Sequence, residues 1–254
     1  MTDLIVFSVK NNKYALNIEN IQRIIEASSL TPVPNTHPLI DGMMSYEDTV
    51  IKVLNYRKLT GLISYEEELV KLFTKLKNAH ISWIDALKDS VDNGVKFTKT
   101  LNPSSCELGK WIDNFASYDA DVAKIFHGLA DNHKKLHLSG AEALELYKKD
   151  KQKARVIVHQ DICQTYTQTI GSLDEFIKKL DLVANSLQKL IIYEHKDDIF
   201  ALIVDKIEDI AHIEENQIIH STEEDGISEF LELDGVLDLD GVLINVISEL
   251  KLPK

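Results

Sequence analysis

The feature that most constrains this chain is a repeat that opens and closes it. Leu4-Ile5-Val6-Phe7, Lys10-Asn11-Asn12 and Tyr14-Ala15-Leu16 match Leu190-Ile191-Ile192-Tyr193, Lys196-Asp197-Asp198 and Phe200-Ala201-Leu202 at a constant offset of 186, with no gap through Ile24 and Ile210. A second block pairs Asp41-Gly42-Met43-Met44 and Val50-Ile51-Lys52-Val53-Leu54 with Asp234-Gly235-Val236-Leu237 and Leu243-Ile244-Asn245-Val246-Ile247 at an offset of 193. Self-similarity of this kind means that one structural unit occurs twice. Within each copy, runs of Ile, Val, Leu, Phe and Tyr alternate with polar turns, which is how hairpins read. Pro32-Val33-Pro34 and His37-Pro38 exclude a long helix from the first copy, because proline removes a backbone donor and restricts its predecessor. Each copy is therefore expected to form a small β-barrel.

Between residues 64 and 187 the character changes: Leu, Ile, Phe and Ala recur at three- and four-residue intervals among Lys, Glu, Asp and Gln. The spacing predicts helices over 65–91, 108–115, 119–149 and 151–189, with breaks near Asn93-Gly94, Asn102-Pro103 and Asp150. Helices of these lengths suit a bundle that can point polar groups inward. The expected fold class is α+β multidomain, a pair of small barrels split by an all-helical insert.

With 254 residues and 44% hydrophobic content the chain can bury two ordinary cores. Its 28 Lys+Arg against 41 Asp+Glu leave a net charge of -13, which repels nucleic acid and anionic membrane. No apolar run approaches the roughly 20 residues that span a bilayer, and Met1-Thr2-Asp3 leads straight into a strand-like segment, so a cytoplasmic protein is expected. Residues 205–254 hold fourteen acids and three bases. Acids alternating with Leu and Ile read as the solvated face of half-buried strands, the alternative being a docking face for a basic partner. Only Cys106 and Cys163 are present, a number that suits metal or redox chemistry, or inert packing, better than a structural disulfide.

His133 and His137 stand four residues apart on one predicted helix, so both imidazoles leave the same face and can reach one ion. Such a pair also arises by chance on solvated helices. His80 and Cys106 precede it on other segments of the insert, as they would if successive bundle helices shared a site. Three imidazoles and one thiolate complete a tetrahedral Zn2+ shell and leave no open position for water, which disfavours hydrolysis and favours a structural or sensory site. Reactivity then centres on Cys106: a zinc-bound sulfur is held as thiolate, and oxidation to sulfenic acid weakens its hold on the metal.

His80-Ile81-Ser82-Trp83, Cys106-Glu107-Leu108-Gly109-Lys110-Trp111 and His133-Lys134-Lys135-Leu136-His137 together resemble the chemoreceptor zinc-binding (CZB) domain. The resemblance implies a helical bundle, commonly a homodimer, whose ligands here are His80, Cys106, His133 and His137. It also implies that the cysteine–zinc pair responds to oxidants such as hypochlorous acid or to zinc itself. Trp83 and Trp111 match the motif and are expected to pack around the site, since indole offers no metal ligand; Gly109 is expected to permit close helix approach. His127, His159 and Cys163 lie outside the motif and read as ordinary surface or core residues.

The flanking copies resemble the halves of a CheW-like coupling domain, which that family builds from two small five-stranded barrels and uses to link chemoreceptor tips to the histidine kinase CheA. The expected domains are residues 1–62 for the first half, 63–187 for the zinc-binding bundle and 188–254 for the second half. One departure stands out: where the family usually carries Asn-Leu-Arg-Gly, this chain has Ser45-Tyr46-Glu47-Asp48. A docking loop that reverses charge at Glu47 and loses a turn glycine at Asp48 puts ordinary receptor and kinase coupling in question. The expected function is a non-enzymatic chemotaxis adaptor that senses oxidant or zinc, with a zinc-stabilised scaffold of receptor arrays as the alternative. A di-iron bundle enzyme would need repeated Glu-x-x-His sets, which the insert lacks. Glu107, beside Cys106, is a poor candidate base because adjacent helical residues diverge.

Overall fold

A computed structural model describes residues 1–27, 30–116, 119–196, 198–220 and 229–253. Asp197 of the second polar turn and Glu223, Glu224 and Asp225 of the acidic stretch lie outside these residues. The chain divides into two compact units, Met1–Tyr65 with Ala184–Lys254, and Glu66–Val183.

The first unit is built from strands. The opening repeat supplies β1 (Thr2–Val9), β2 (Asn12–Asn17), β3 (Ile21–Glu26), β4 (Ile40–Tyr46) and β5 (Thr49–Asn55), followed by a one-turn helix, α1 (Tyr56–Leu59). The closing repeat supplies β6 (Lys189–His195), β7 (Asp198–Val204), β8 (Lys206–Ile213), β9 (Ile218–His220), β10 (Leu231–Leu239) and β11 (Val242–Leu250). Lys10 and Lys196, at equivalent turns of the two copies, both have φ 58°, the left-handed conformation that tight hairpins require.

The expectation of one barrel per copy is overturned. A six-stranded sheet runs β8-β1-β2-β11-β10-β9 and a five-stranded sheet runs β3-β6-β7-β5-β4, and among the described residues neither closes, because its two edge strands do not pair with each other. Each sheet instead takes a hairpin from one copy and extends it with strands from the other. The exchange is reciprocal: β5 pairs in parallel with β7 at Val53 and Ala201, and β11 pairs in parallel with β2 at the repeat-equivalent Val246 and Ala15. Ladder bonds are made by backbone, so period-2 alternation names the buried face of a strand without naming its neighbour.

The apolar positions explain why the two sheets belong together. Phe7, Tyr14, Leu231 and Ile247 from one sheet share a buried cluster with Leu54, Ile191, Tyr193, Phe200 and Leu202 from the other. On the opposite face of β1, Leu4 and Val6 pack with Ala15, Leu237, Ile244 and Val246. Burying one such aliphatic or aromatic side chain contributes about 1.5–3 kcal/mol. The repeated Asp-Gly pairs also find a reason, since a Cβ on Gly42 would stand 2.7 Å from the Thr31 carbonyl oxygen and one on Gly235 would stand 2.3 Å from that of Ile219.

Charge enters this unit's interior at Arg57, which is 1% exposed. Its Nε donates to Asp205 Oδ1 at 2.7 Å and its second terminal nitrogen to Oδ2 at 2.6 Å, a bidentate pair. The guanidinium also donates to the Ile63 carbonyl at 3.4 Å and lies 4.6 Å from the Tyr65 ring centre. Asp205 in turn accepts from Gln188 Nε2 at 3.3 Å and from the Lys10 backbone N–H at 2.8 Å. One buried ion pair thus holds residues on both flanks of the helical segment.

The second unit is helical: α2 (Tyr65–Asn93), α3 (Glu107–Asn114), α4 (Ala120–Tyr147), α5 (Lys151–Ile157) and α6 (Cys163–Ile177), with α7 (Leu180–Leu187) leading out of it. Asp119 and Asp150 cap α4 and α5, accepting from the backbone N–H of Val122 and Lys153 at 2.9 Å each. The single helix expected over 151–189 is interrupted by a π-helical turn at Val158–Ile162 and ends at Leu187. Thr165, Thr167 and Thr169 there donate to carbonyls four residues back, a competition for backbone acceptors that bends helices.

Candidate metal centre

Amphipathic patterning puts Leu69, Phe73, Leu76, Trp83, Ile84 and Leu87 of α2 in the interior, and His80 falls in the same stripe. On α4 the buried stripe is Leu129, His133, Leu136, His137, Gly140 and Ala143. Cys106 is the N-cap of α3, with its sulfur accepting the Gly109 backbone N–H at 3.2 Å. These elements bring one ligand atom each from His80, Cys106, His133 and His137 to within 4.8 Å of one another. Cys106 Sγ lies 3.0 Å from His133 Nε2, and the ring centres of His133 and His137 are 4.7 Å apart.

The imidazoles are 3%, 2% and 0% exposed for His80, His133 and His137, whereas Cys106 is half-buried. His80 Nδ1 donates to the Leu76 carbonyl at 2.7 Å, which sets the tautomer and leaves Nε2 with a lone pair and no hydrogen-bond partner. Among the described residues neither ring nitrogen of His137 has a partner of full hydrogen-bond geometry, although the Thr100 and Leu101 backbone lies near enough to favour its charged form. Buried polar atoms without partners are rare and call for an explanation. Three neutral imidazoles and a thiol whose ligand atoms converge fit a borderline-soft cation, and zinc suits this donor set.

Electrostatics agree with that fit. Burial, with His137 and His80 adding to it, lowers the His133 pKa to about 3. Burial and His80 lower that of His137 to about 4, with the backbone of Thr100 and Leu101 offsetting part of the shift. Burial also lowers His80, against the Leu76 carbonyl. All three rings are neutral near pH 7, the form that ligates metal. Burial pushes the Cys106 thiol up, the Gly109 and Leu108 backbone pulls it down, and Glu107 and Asp113 raise it again.

Trp83 lies over His137, with ring centres 5.1 Å apart. Trp111 instead anchors α3 in an aromatic cluster with Phe73, Phe115, Phe126 and Phe176, at ring-centre distances of 4.6–6.3 Å. A Cβ on Gly109 would stand 1.8 Å from the Pro103 carbonyl oxygen, so the closest approach there is to the turn before Cys106. His127 is exposed, His159 pairs with Asp92 at 2.9 Å, and neither they nor Cys163 join the cluster. Glu107 is held at the surface by Lys75 at 2.9 Å. Glu47, with φ 50°, and Asp48 form the exposed tip of the β4–β5 hairpin.

Sequence reasoning missed Gly140, where a Cβ would stand 2.3 Å from the Trp83 indole. Its signal was present: a glycine inside a helix costs about 1 kcal/mol relative to alanine, and this one stands one turn beyond His137. The Thr100 carbonyl, which accepts the Trp83 Nε1–H at 2.8 Å, left no signal, because a backbone acceptor has no residue identity.

Residues 3–79 match the CheW-like domain family, and residues 80–144 match the chemoreceptor zinc-binding domain family. The chain is 28% identical over 60 residues, 24% of its length, to the chemotaxis protein CheW of Thermotoga maritima, and spans 40% of that relative's length. Among solved structures it is similar to the scaffolding protein TtCheW of Thermoanaerobacter tengcongensis, at 14% identity and a TM-score of 0.46, over 97% of this chain and 88% of that one. CheW-like domains are non-catalytic adaptor modules. The chain carries a CheW-like domain together with a chemoreceptor zinc-binding domain.

Proposed function

We propose that this chain is a cytoplasmic chemotaxis adaptor that holds one zinc ion through His80, Cys106, His133 and His137 and reports the state of that site to receptor–kinase complexes. The observation that carries the reading is the convergence of four ligand atoms within 4.8 Å, three of them on buried imidazoles, with His80 Nε2 and both His137 nitrogens lacking a hydrogen-bond partner among the described residues. Bound zinc would hold the Cys106 sulfur as thiolate. Cys106 is the least buried member of the set and the natural point of attack. Its sulfur loses two electrons to hypochlorous acid and takes the oxygen to form a sulfenic acid, while chlorine leaves as chloride. A sulfenic acid is a weaker ligand, so α3 and the chain leading to it lose their hold on the histidines.

The route outward is the flanks of the helical segment, where Ile63 and Tyr65 on one side and Gln188 on the other meet the Arg57–Asp205 pair. Motion of the helices would reach the sheets through these residues. The partners are chemoreceptor tips and the kinase CheA, with Glu47 and Asp48 on a hairpin tip that departs from the family's Arg-Gly; the helical unit is the proposed dimer contact. Elemental analysis is the first test: one zinc per chain is expected, with the content falling in His133→Ala and Cys106→Ser. Kinase activity measured with receptors should then respond to oxidant with the native chain and not with Cys106→Ala; equal responses would sink the sensing role.

The near-complete burial of the three histidines favours a second reading, a permanent zinc that only stabilises a scaffold. Titration in zinc buffers separates the two. Retention of metal through oxidant treatment belongs to the scaffold, and release belongs to the sensor.

A further inference from the structure

We propose that Trp83 is a positioning residue that delivers Cys106 to the histidines, and that Gly140 exists to make its slot. This rests on the metal-site reading above and extends it to residues that bind no metal. Cys106 does not ride on a long helix. It ends an arm, residues 94–105, that leaves α2 and returns to the site with only a short 3-10 turn at Pro103–Ser105. Bonds within the arm, such as the Ser104 N–H to Asn102 Oδ1 at 3.1 Å, shape it without attaching it to the bundle.

Trp83 supplies an attachment. Its indole N–H donates to the Thr100 carbonyl at 2.8 Å, six residues before the ligand sulfur. Phe97 meets the indole edge-on at 5.6 Å, and Phe97 and Leu101 pack on the buried cluster of Trp83, Leu136 and Val158. The ring reaches the arm only because α4 has no side chain at Gly140, where a Cβ would stand 2.3 Å from the indole. Trp83 follows His80 by three residues, and Gly140 follows His137 by three, so each lies one turn from a ligand on its own helix. One indole therefore touches the helix bearing His80, the helix bearing His133 and His137, and the arm bearing Cys106. Indole N–H groups that are buried take a partner, and here the partner is the arm itself.

The test uses the full chain in a Cys163→Ser background, with cobalt(II) as the metal probe. Thiolate ligation gives a sulfur-to-cobalt charge-transfer band in the near ultraviolet, while the visible ligand-field bands report the ion whatever its fourth ligand. Trp83→Phe keeps an aromatic ring and removes the N–H; Gly140→Ala keeps the indole and fills its slot. Both are expected to lose most of the sulfur band at retained visible bands. In metal-free protein Cys106 should react with a disulfide reagent about three- to tenfold faster, the range for losing one hydrogen bond. Gly128→Ala, on the same helix with nothing within 4 Å of its Cβ position, should change neither. An unchanged sulfur band and thiol rate in both variants overturns the proposal, as does parallel loss of all bands with an unchanged thiol rate. Failure of the native chain to take up cobalt would instead overturn the metal-site reading, and the metal-free thiol rates would still decide the role of Trp83.

Discussion

In the sheet unit the buried guanidinium of Arg57 meets a bidentate carboxylate from Asp205, and the remaining oxygen capacity is filled by Gln188 and a backbone N–H. In the helical unit His80, His133 and His137 are equally buried but find one another and Cys106, with three ring nitrogens lacking a full hydrogen-bond partner among the described residues. The first polar cluster is closed by the protein's own atoms; the second presents converging donor atoms that a cation could take up. Desolvated polar groups cost free energy unless paired, so the sheet unit is expected to be stable alone, whereas the helical unit depends on its ligand.

The largest effect should come from the metal. Chelation is expected to lower the helical unit's unfolding free energy by up to about 10 kcal/mol, the lower end for structural zinc. Calorimetry should show that transition moving while the sheet transition stays; joint movement would break the contrast between the units. Next, Arg57→Met leaves Asp205 buried without its counter-ion and should cost about 3–5 kcal/mol in urea unfolding of the sheet unit. Adding Asp205→Leu should restore much of the loss, and zinc content should stay at one per chain throughout. Gly109→Ala should cost about 1–3 kcal/mol, because the added methyl meets the Pro103 backbone. Its loss should fall in the helical unit and be accompanied by weaker zinc retention against a chelator. Smallest in stability is Glu47→Arg with Asp48→Gly at an exposed hairpin tip, within about 0.5 kcal/mol by thermal melts. The same pair of changes should nevertheless raise binding to the kinase–receptor complex in a pull-down, separating docking from folding.

The clustering of the histidines was legible because helical spacing is local. Four residues between His133 and His137 place both on one face, and a buried stripe that includes His80 tells which side of α2 faces inward. The interruption of the helix expected over 151–189 was not legible, because threonine hydroxyls bond backbone in a way that the apolar period does not record. Trp83 could be placed beside the site, but its grip on Thr100 depends on a carbonyl brought in by tertiary packing.

What the sequence by itself determined is the doubled unit and the helical insert between its copies, which follow from spacing along the chain, and, through the motif resemblance, the four side chains able to share an ion. Only the tertiary structure decided that the copies trade strands, so that β2 lies beside β11 and β7 beside β5 in two open sheets instead of two barrels. The physical reason is that side-chain alternation selects a face, while the hydrogen bonds that select a neighbour belong to a backbone shared by every residue.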